Sequence, residues 1–184
     1  NQSAPANYDD PSPQKVGSDT NWDIVGGEND QGHRGFIVRK TDGTLWTCGY
    51  NGNGQLGQNN TTNRSSPTQI PGTTWSKQFV GTDDSRLAIK TDGTLWGWGN
   101  NATGELGQNN VTKYSSPTQI GTGTDWSVIS ADQVVIATKT DGSIWSWGYN
   151  NQGCLGLNNR TNYSSPVQIG SATDWNPASS NAGS

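Results

Sequence analysis

Apolar residues in this chain come in short runs, such as Val134-Val135-Ile136-Ala137, separated by stretches of Gly, Asn, Thr and Ser. Runs of that length bounded by turn residues read as strands, and no segment carries the 3.6-residue period of an amphipathic helix. The second strong pattern is alternation. In Leu95-Trp96-Gly97-Trp98 a strand puts both indoles on one face and Leu95 with Gly97 on the other, and Ile144-Trp145-Ser146-Trp147 repeats the arrangement. A large face backed by a small one predicts sheets packed on one another, with the indole lying against the gap left by Gly97, Ser146 or Thr47. Cys48 takes the place of the second Trp in the first copy of this strand, so that contact is expected to be looser.

The pattern repeats in phase. Lys40-Thr41-Asp42-Gly43-Thr44-Leu45-Trp46 recurs as Lys90 to Trp96 and, with Ser143 and Ile144 substituted, as Lys139 to Trp145, at spacings of 50 and 49 residues. Leu56-Gly57, Leu106-Gly107 and Leu155-Gly156 follow, then Ser65-Ser66-Pro67, Ser115-Ser116-Pro117 and Ser164-Ser165-Pro166. A Trp opens each unit, at Trp22, Trp75 and Trp126, and Trp175 opens a further one. Each unit reads as four strands: one from the marker Trp (Trp126 to Ser130), one over Arg86 to Thr91, one over Thr94 to Gly99, and one over Pro117 to Ile120. The Asp-Gly pairs at 42–43, 92–93 and 141–142 predict two-residue type I′ hairpins, which makes those Asp residues turn formers rather than acids. Four-stranded units of about 50 residues that must bury indoles against a neighbour are the blades of a β-propeller. The units run over residues 20–72, 73–123 and 124–172, between an N-terminal arm with a partial blade strand (1–19) and the start of a next unit with a flexible tail (173–184).

Composition removes whole classes of function. With 28% hydrophobic residues, 25 Gly and no Met, no Leu/Ile/Val core of ordinary size is available, and tryptophan must supply it. Each of the 9 Trp, fully buried, removes roughly 150–250 Å² from water, worth about 4–6 kcal/mol before entropy is subtracted. The expected core is Trp22, Trp46, Trp75, Trp96, Trp98, Trp126, Trp145 and Trp147. A net charge of -4 without a basic cluster leaves no footprint for nucleic acid, and no apolar run is long enough to span a bilayer. Cys48 and Cys154 have no partner at metal-ligand spacing and form no disulfide framework. No cofactor motif is present: Gly52, Gly54 and Gly57 recur in every unit with no helix after them and are turn glycines rather than a phosphate loop. Asn-x-Ser/Thr sequences such as those at Asn59, Asn101 and Asn159 follow from a chain rich in Asn and Thr.

The string from Lys90 through Trp96, Trp98 and Gly99, followed by Leu106-Gly107 and by Ser115-Ser116-Pro117-Thr118-Gln119-Ile120, resembles the regulator of chromosome condensation repeat family in its bacterial and phage-like form. The resemblance runs from about Trp22 to Trp175. It implies a propeller, and its members include nucleotide-exchange factors, ligase subunits, a β-lactamase inhibitor and surface and virion proteins. The His that such repeats often place five residues before the Lys is Gly35, Ser85 or Val134 in this chain, and His33 does not replace it. A family propeller has about seven blades against three in this chain, which also opens on a strand-like Ser12 to Gly17 that resembles the end of a preceding unit. The fold expected is therefore an all-β partial propeller, completed by other copies, by another protein or by further chain.

For function, no catalytic, metal or cofactor set can be named. Recognition sites are expected where matching units differ. The stretch from marker Trp to repeat Lys shrinks from 18 to 15 to 13 residues, and the longest version holds Glu28, Asp30 and His33. The other variable patch holds Arg64, Lys113, Tyr114, Arg160 and Tyr163. The leading expectation is a non-enzymatic structural and binding protein of a phage or virus particle, located on a virion or a cell surface and acting through other copies or other proteins. The alternative is a soluble recognition module, an enzyme inhibitor or a carbohydrate binder, and nucleotide exchange on a small GTPase ranks last.

Overall fold

The computed structural model describes residues 17–26, 35–82, 84–132 and 134–175. Among these, twelve strands form three four-stranded antiparallel sheets. Blade 1 is β1 (Trp22–Gly26), β2 (Gly35–Lys40), β3 (Leu45–Gly49) and β4 (Arg64–Gln69). Blade 2 is β5 (Trp75–Gly81), β6 (Ser85–Lys90), β7 (Leu95–Gly99) and β8 (Tyr114–Gln119). Blade 3 is β9 (Trp126–Ala131), β10 (Val134–Lys139), β11 (Ile144–Gly148) and β12 (Tyr163–Gln168). Each sheet is a meander in chain order, and no two blades share a sheet. The three sheets do not close a ring, so the molecule is a partial propeller.

Two local expectations are corrected. The outer strand of each blade begins three residues earlier than Pro117, at Tyr114 in blade 2, because Gly99 pairs with Tyr114 across a bulge. Its Pro sits on the outermost strand, where the missing N–H costs no ladder bond and blunts the edge. The hairpins between second and third strands are not type I′. In blade 2, Lys90 N–H bonds Thr94 O at 2.9 Å and Gly93 N–H bonds Lys90 O at 3.0 Å, which leaves a three-residue loop with one left-handed position, Gly93 at φ 77°. Asp92 serves this turn by accepting from the Thr94 N–H (3.0 Å) and the Thr94 hydroxyl (2.6 Å). Asp42 and Asp141 do the same for Thr44 and Ser143.

Blades join face to face. The downstream face of blade 1 (Ile37, Leu45, Ile70) meets Trp75, Phe79, Ala88 and Trp98 of blade 2. The downstream face of blade 2 (Leu87, Ile89, Leu95, Ile120) meets Trp126, Ile129, Val135, Ala137 and Trp147 of blade 3. The deepest anchors are Trp98 and Trp147, with no exposed surface. Trp98 Nε1 donates to Gln55 O across the interface at 3.0 Å, and Trp147 Nε1 to Glu105 O at 2.9 Å. The space for each indole comes from the glycine after the blade's Leu: a Cβ on Gly57 would stand 3.0 Å from the Trp98 nitrogen, and one on Gly107 3.0 Å from that of Trp147. Gly97, Thr47 and Ser146 therefore do not form the gap expected of them. They make room inside their own blade, where Gly97 backs onto Ile120 and Leu106 and the Thr47 and Ser146 hydroxyls donate to Leu56 O and Leu155 O.

The expected tryptophan core divides in two. Trp75, Trp98, Trp126 and Trp147 are buried, whereas Trp22, Trp46, Trp96 and Trp145 are half-buried. In the latter group Trp46, Trp96 and Trp145 are held by the turn, their indole N–H donating to Thr44, Thr94 and Ser143 hydroxyls. Cys48 is half-buried, on the upstream face of blade 1, where no described blade meets it.

Candidate binding face

Antiparallel order fixes which loops share a rim. The loops between first and second strands and the long connectors between third and fourth strands emerge together on one rim, and the Asp-Gly turns emerge on the opposite one. The first rim is held rigidly by a repeated asparagine. Asn51 is fully buried; its Oδ1 accepts from Leu56 N–H at 2.9 Å and its Nδ2 donates to Asn60 O at 3.0 Å and Thr62 O at 3.1 Å. Asn101 and Asn150 repeat this set in blades 2 and 3. These asparagines escaped the sequence reading although their signal was present: all three recur in phase with the Lys and Trp markers.

On this rim, between blades 2 and 3, lies a cleft of about 320 Å³ lined by Thr82, Asp84, Asn100, Glu105, Asp132 and Tyr149, among others. Asp84 accepts from Gln55 Nε2 of the preceding blade at 2.8 Å, and its carbonyl accepts Asn100 N–H at 2.8 Å. Glu105 is buried but fully engaged: Asn100 Nδ2 donates to one oxygen (3.0 Å), and Thr103 N–H and Oγ1 donate to the other (2.7 and 2.8 Å). Among the described lining residues none is Lys or Arg, while the Arg86 guanidinium donates to the lining carbonyls of Thr82 and Ser85 at 2.7 Å each; the carboxylates of Asp84 and Asp132 favour a cationic or donor-rich group.

The opposite rim carries another cleft between blades 2 and 3, of about 450 Å³, lined by Lys77, Lys90, Asp92, Thr124 and Trp126 among others. Lys40, Lys90 and Lys139 lie over Trp46, Trp96 and Trp145 with the ammonium 3.9, 3.9 and 4.8 Å from the ring centroids. Lys40 also pairs with Asp19 at 2.7 Å and Lys139 with Asp125 at 3.3 Å. Each ammonium occupies one face of its indole.

The residues singled out from sequence are scattered. Glu28, Asp30 and His33 lie outside the described residues, as do 1–16 and 176–184, which hold most of the arm and the tail. Arg64, Tyr114 and Tyr163 each open the outer strand of a different blade, so they form a row along the outer edge rather than one cluster. The Tyr114 and Tyr163 hydroxyls accept from Asn110 and Asn159 at 3.1 Å and belong to the connector. Lys113 donates to Asn53 of the preceding blade at 2.6 Å, and Arg160 is exposed.

Other groups are quiet chemically. Burial pushes the Cys48 thiol up, away from nucleophilic form. Burial lowers the Arg86 guanidinium to about 10, still charged at neutral pH, with its NH1 donating to Thr82 O and Ser85 O at 2.7 Å. Among the described residues no group of three His, Cys, Asp or Glu could hold a metal ion, and no helix is long and apolar enough to cross a membrane.

The model of the regulator of chromosome condensation (RCC1) repeat matches three times, at residues 42–83, 92–131 and 141–182. Among solved structures, human WBSCR16 superposes with a TM-score of 0.69 at 22% identity, covering 85% of this chain and 39% of its own. Prp20p from Saccharomyces cerevisiae gives 0.70 at 16% identity, over 84% of this chain and 39% of its own. Yeast RCC1 (Prp20) in its structure with Kap60 gives 0.67 at 17%, over 77% and 36%. The chain thus spans under half the length of these proteins. No curated protein matches it. Three in-phase repeat matches over more than half of the sequence, on three blades of the corresponding architecture, place this chain in the RCC1 repeat family.

Proposed function

We propose that this chain is a non-enzymatic recognition module that binds a protein partner through the rim carrying the acidic cleft. The observation that carries this reading is the cleft itself: Asp84 and Asp132 from two blades, beside the engaged Glu105, with no Lys or Arg among the described lining residues, at the rim where unit lengths vary. Propeller blades are a binding scaffold, and the structures it resembles support a protein ligand. The printed description of Prp20p names binding to Gsp1p and histones, and the other Prp20 structure is a complex with Kap60. A cleft of this charge fits a Lys- or Arg-bearing segment.

The test is a titration of the intact chain with a Lys/Arg-rich peptide and with an acidic peptide of equal length. Binding of the basic peptide, weakened at least tenfold in an Asp84→Asn/Asp132→Asn variant, supports the reading. Equal binding of both peptides, or indifference to the double substitution, defeats it.

The finer form of this proposal is a component of a phage or virus particle, displayed on a virion or cell surface. Its basis is the resemblance to phage-like repeat sequences; the exposed Val25 (71%) and Ile136 (37%) on the outer faces of blades 1 and 3 fit further protein contact of any kind. Co-purification at fixed stoichiometry with a shell or tail would establish it, and a monodisperse, ligand-responsive protein would favour the soluble module.

A further inference from the structure

Each blade ends its second strand on a Lys that lies over two indoles, and in two of the three blades that Lys also has a carboxylate partner. Lys40 pairs with Asp19, shortly before the marker Trp22, and Lys139 pairs with Asp125, immediately before Trp126. Blade 2 has Pro71-Gly72-Thr73-Thr74 in that place, without an acid. The Lys90 ammonium is held 5.0 Å from the Trp75 centroid and 3.9 Å from that of Trp96, yet among the described residues no carboxylate forms an ion pair with it. The acid of the adjoining turn, Asp92, is bonded to Thr94. Its counterparts Asp42 and Asp141 sit in the same turns of blades whose Lys has another acid as well, so Asp92 does not stand in for the missing partner.

This Lys without an acid borders the cleft of about 450 Å³ between blades 2 and 3, and two sequence differences open that space. Between blades 1 and 2 the Arg39 guanidinium reaches across to Trp75 O at 2.9 Å and pairs with Asp23, which also receives Lys77 at 3.4 Å. The counterparts of Arg39 and Asp23 in blade 2 are Ile89 and Ser76, which bring no charge to the next junction. In addition, the bulge of β5 holds one more residue. Trp75 stands four positions before Phe79, the partner of Ala88, whereas Trp22 and Trp126 stand three before Val25 and Ile129, the partners of Val38 and Ala137. The bulged residues Ser76, Lys77 and Gln78 all line the cleft.

We propose that this cleft binds a uronic acid, as a free sugar or as a residue of an acidic polysaccharide, its carboxylate meeting Lys90 as Asp19 and Asp125 meet Lys40 and Lys139. Lys77 is a second cation in the same lining. The remaining lining selects a sugar acid over an acidic peptide. Ser76, Gln78, Thr124 and Ser127, among others, surround the space with hydroxyl and amide groups that both donate and accept, as sugar hydroxyls require, while Ile89 and Trp126 supply apolar surface for C–H groups. A few polar groups converging beside apolar surface, in a space of this volume, make a small-molecule site. Because the indoles already hold the ammonium, the carboxylate meets a charge that is fixed before binding.

The experiment titrates the intact chain with glucuronate, galacturonate and short oligomers of each, read by calorimetry and by amide chemical shifts, with glucose, galactose and a Glu-rich peptide as controls. A uronate should bind at least tenfold more tightly than its neutral parent sugar and than the peptide, and should shift the amides of Ser76 to Gln78 and of Thr91 to Gly93. Equal affinity for monomer and oligomer would support a free sugar acid, and tighter binding of the oligomer a polysaccharide. Thr74→Asp puts a carboxylate where blade 3 has Asp125, at an exposed residue whose carbonyl still accepts Thr91 N–H at 2.8 Å. It should weaken uronate binding at least tenfold with no loss of thermal stability, and Lys90→Gln should weaken binding to a similar degree. Absence of uronate binding, a neutral sugar or the Glu-rich peptide binding as tightly, shifts confined to another region, or indifference to Thr74→Asp would each overturn the proposal. Asp84→Asn/Asp132→Asn alters the opposite rim and should leave uronate binding unchanged, so this site and the acidic cleft stand or fall separately.

Discussion

Blades 2 and 3 have nearly the same sequence pattern and opposite fates. Leu87, Leu95 and Ile120 are at most 1% exposed, whereas their counterparts Ile136, Ile144 and Ile169 range from half-buried to exposed. Nothing in blade 3's own hairpins accounts for this, since its turn, its Lys139 stack and its Asn150 staple match those of blade 2. The difference is the neighbour. In a linear array of blades each unit supplies half of two interfaces, so burial is a property of the pair and the same residue type is worth kilocalories at one junction and little at the next.

The comparison is broken most sharply at the indoles. Trp98→Ala should cost about 3–5 kcal/mol in denaturant unfolding, because it empties a fully buried socket and strands Gln55 O. Cys48→Ala, at the same strand position but facing no described blade, should cost well under 1 kcal/mol. A Trp98→Ala loss as small as that of Cys48→Ala would show that the blades do not stack through this residue.

Aliphatic truncation comes next. Leu95→Ala should lose about 2–4 kcal/mol and Ile144→Ala about 1 kcal/mol, read from the same unfolding curves. Glycine substitutions sharpen the contrast because backbone strain is shared. Gly107→Ala and Gly156→Ala both force an L side chain to φ near 70°, but only at Gly107 does the new methyl meet an indole. The first should therefore cost about 1–3 kcal/mol more than the second. Equal losses would mean the indole shifts freely.

The repeat phase, the four-strand unit and the partners of each sheet could be read from the sequence because three in-phase copies filter out chance: Trp, Asp-Gly and Ser-Ser-Pro recur where a physical need recurs. The destination of the indoles could not. Alternation tells which residues share a face, but the socket for Trp98 is Gly57, 41 positions earlier and in another blade, and no local pattern links the two. The turn type was misjudged for a related reason, since Asp-Gly fits both a two-residue and a three-residue loop and the choice rests on the Lys90–Thr94 pairing. The acidic cleft was missed because Asp84, Glu105 and Asp132 meet only once blades 2 and 3 are stacked.

The smallest effect concerns the turns, and it separates what is local from what depends on neighbours. Bonds from the Thr44, Thr94 and Ser143 hydroxyls and N–H groups hold the Asp42, Asp92 and Asp141 carboxyls below the ordinary value of 3.8. A carboxyl whose native pKa is depressed contributes stability that is complete above its unfolded value and is lost as pH falls through the native one. Each turn should therefore weaken on acidification below about pH 4, and all three by similar amounts, because acceptor and donors lie within one hairpin and the carboxylates themselves are exposed to solvent. Unfolding midpoints measured from neutral to acid pH on Asp92→Asn and Asp141→Asn should show the same small flattening of the acid limb in both variants. A flattening confined to Asp92→Asn, in the blade with neighbours on both sides, would mean that the turns are set by stacking after all and that blade 3's hairpin is not the equal of blade 2's.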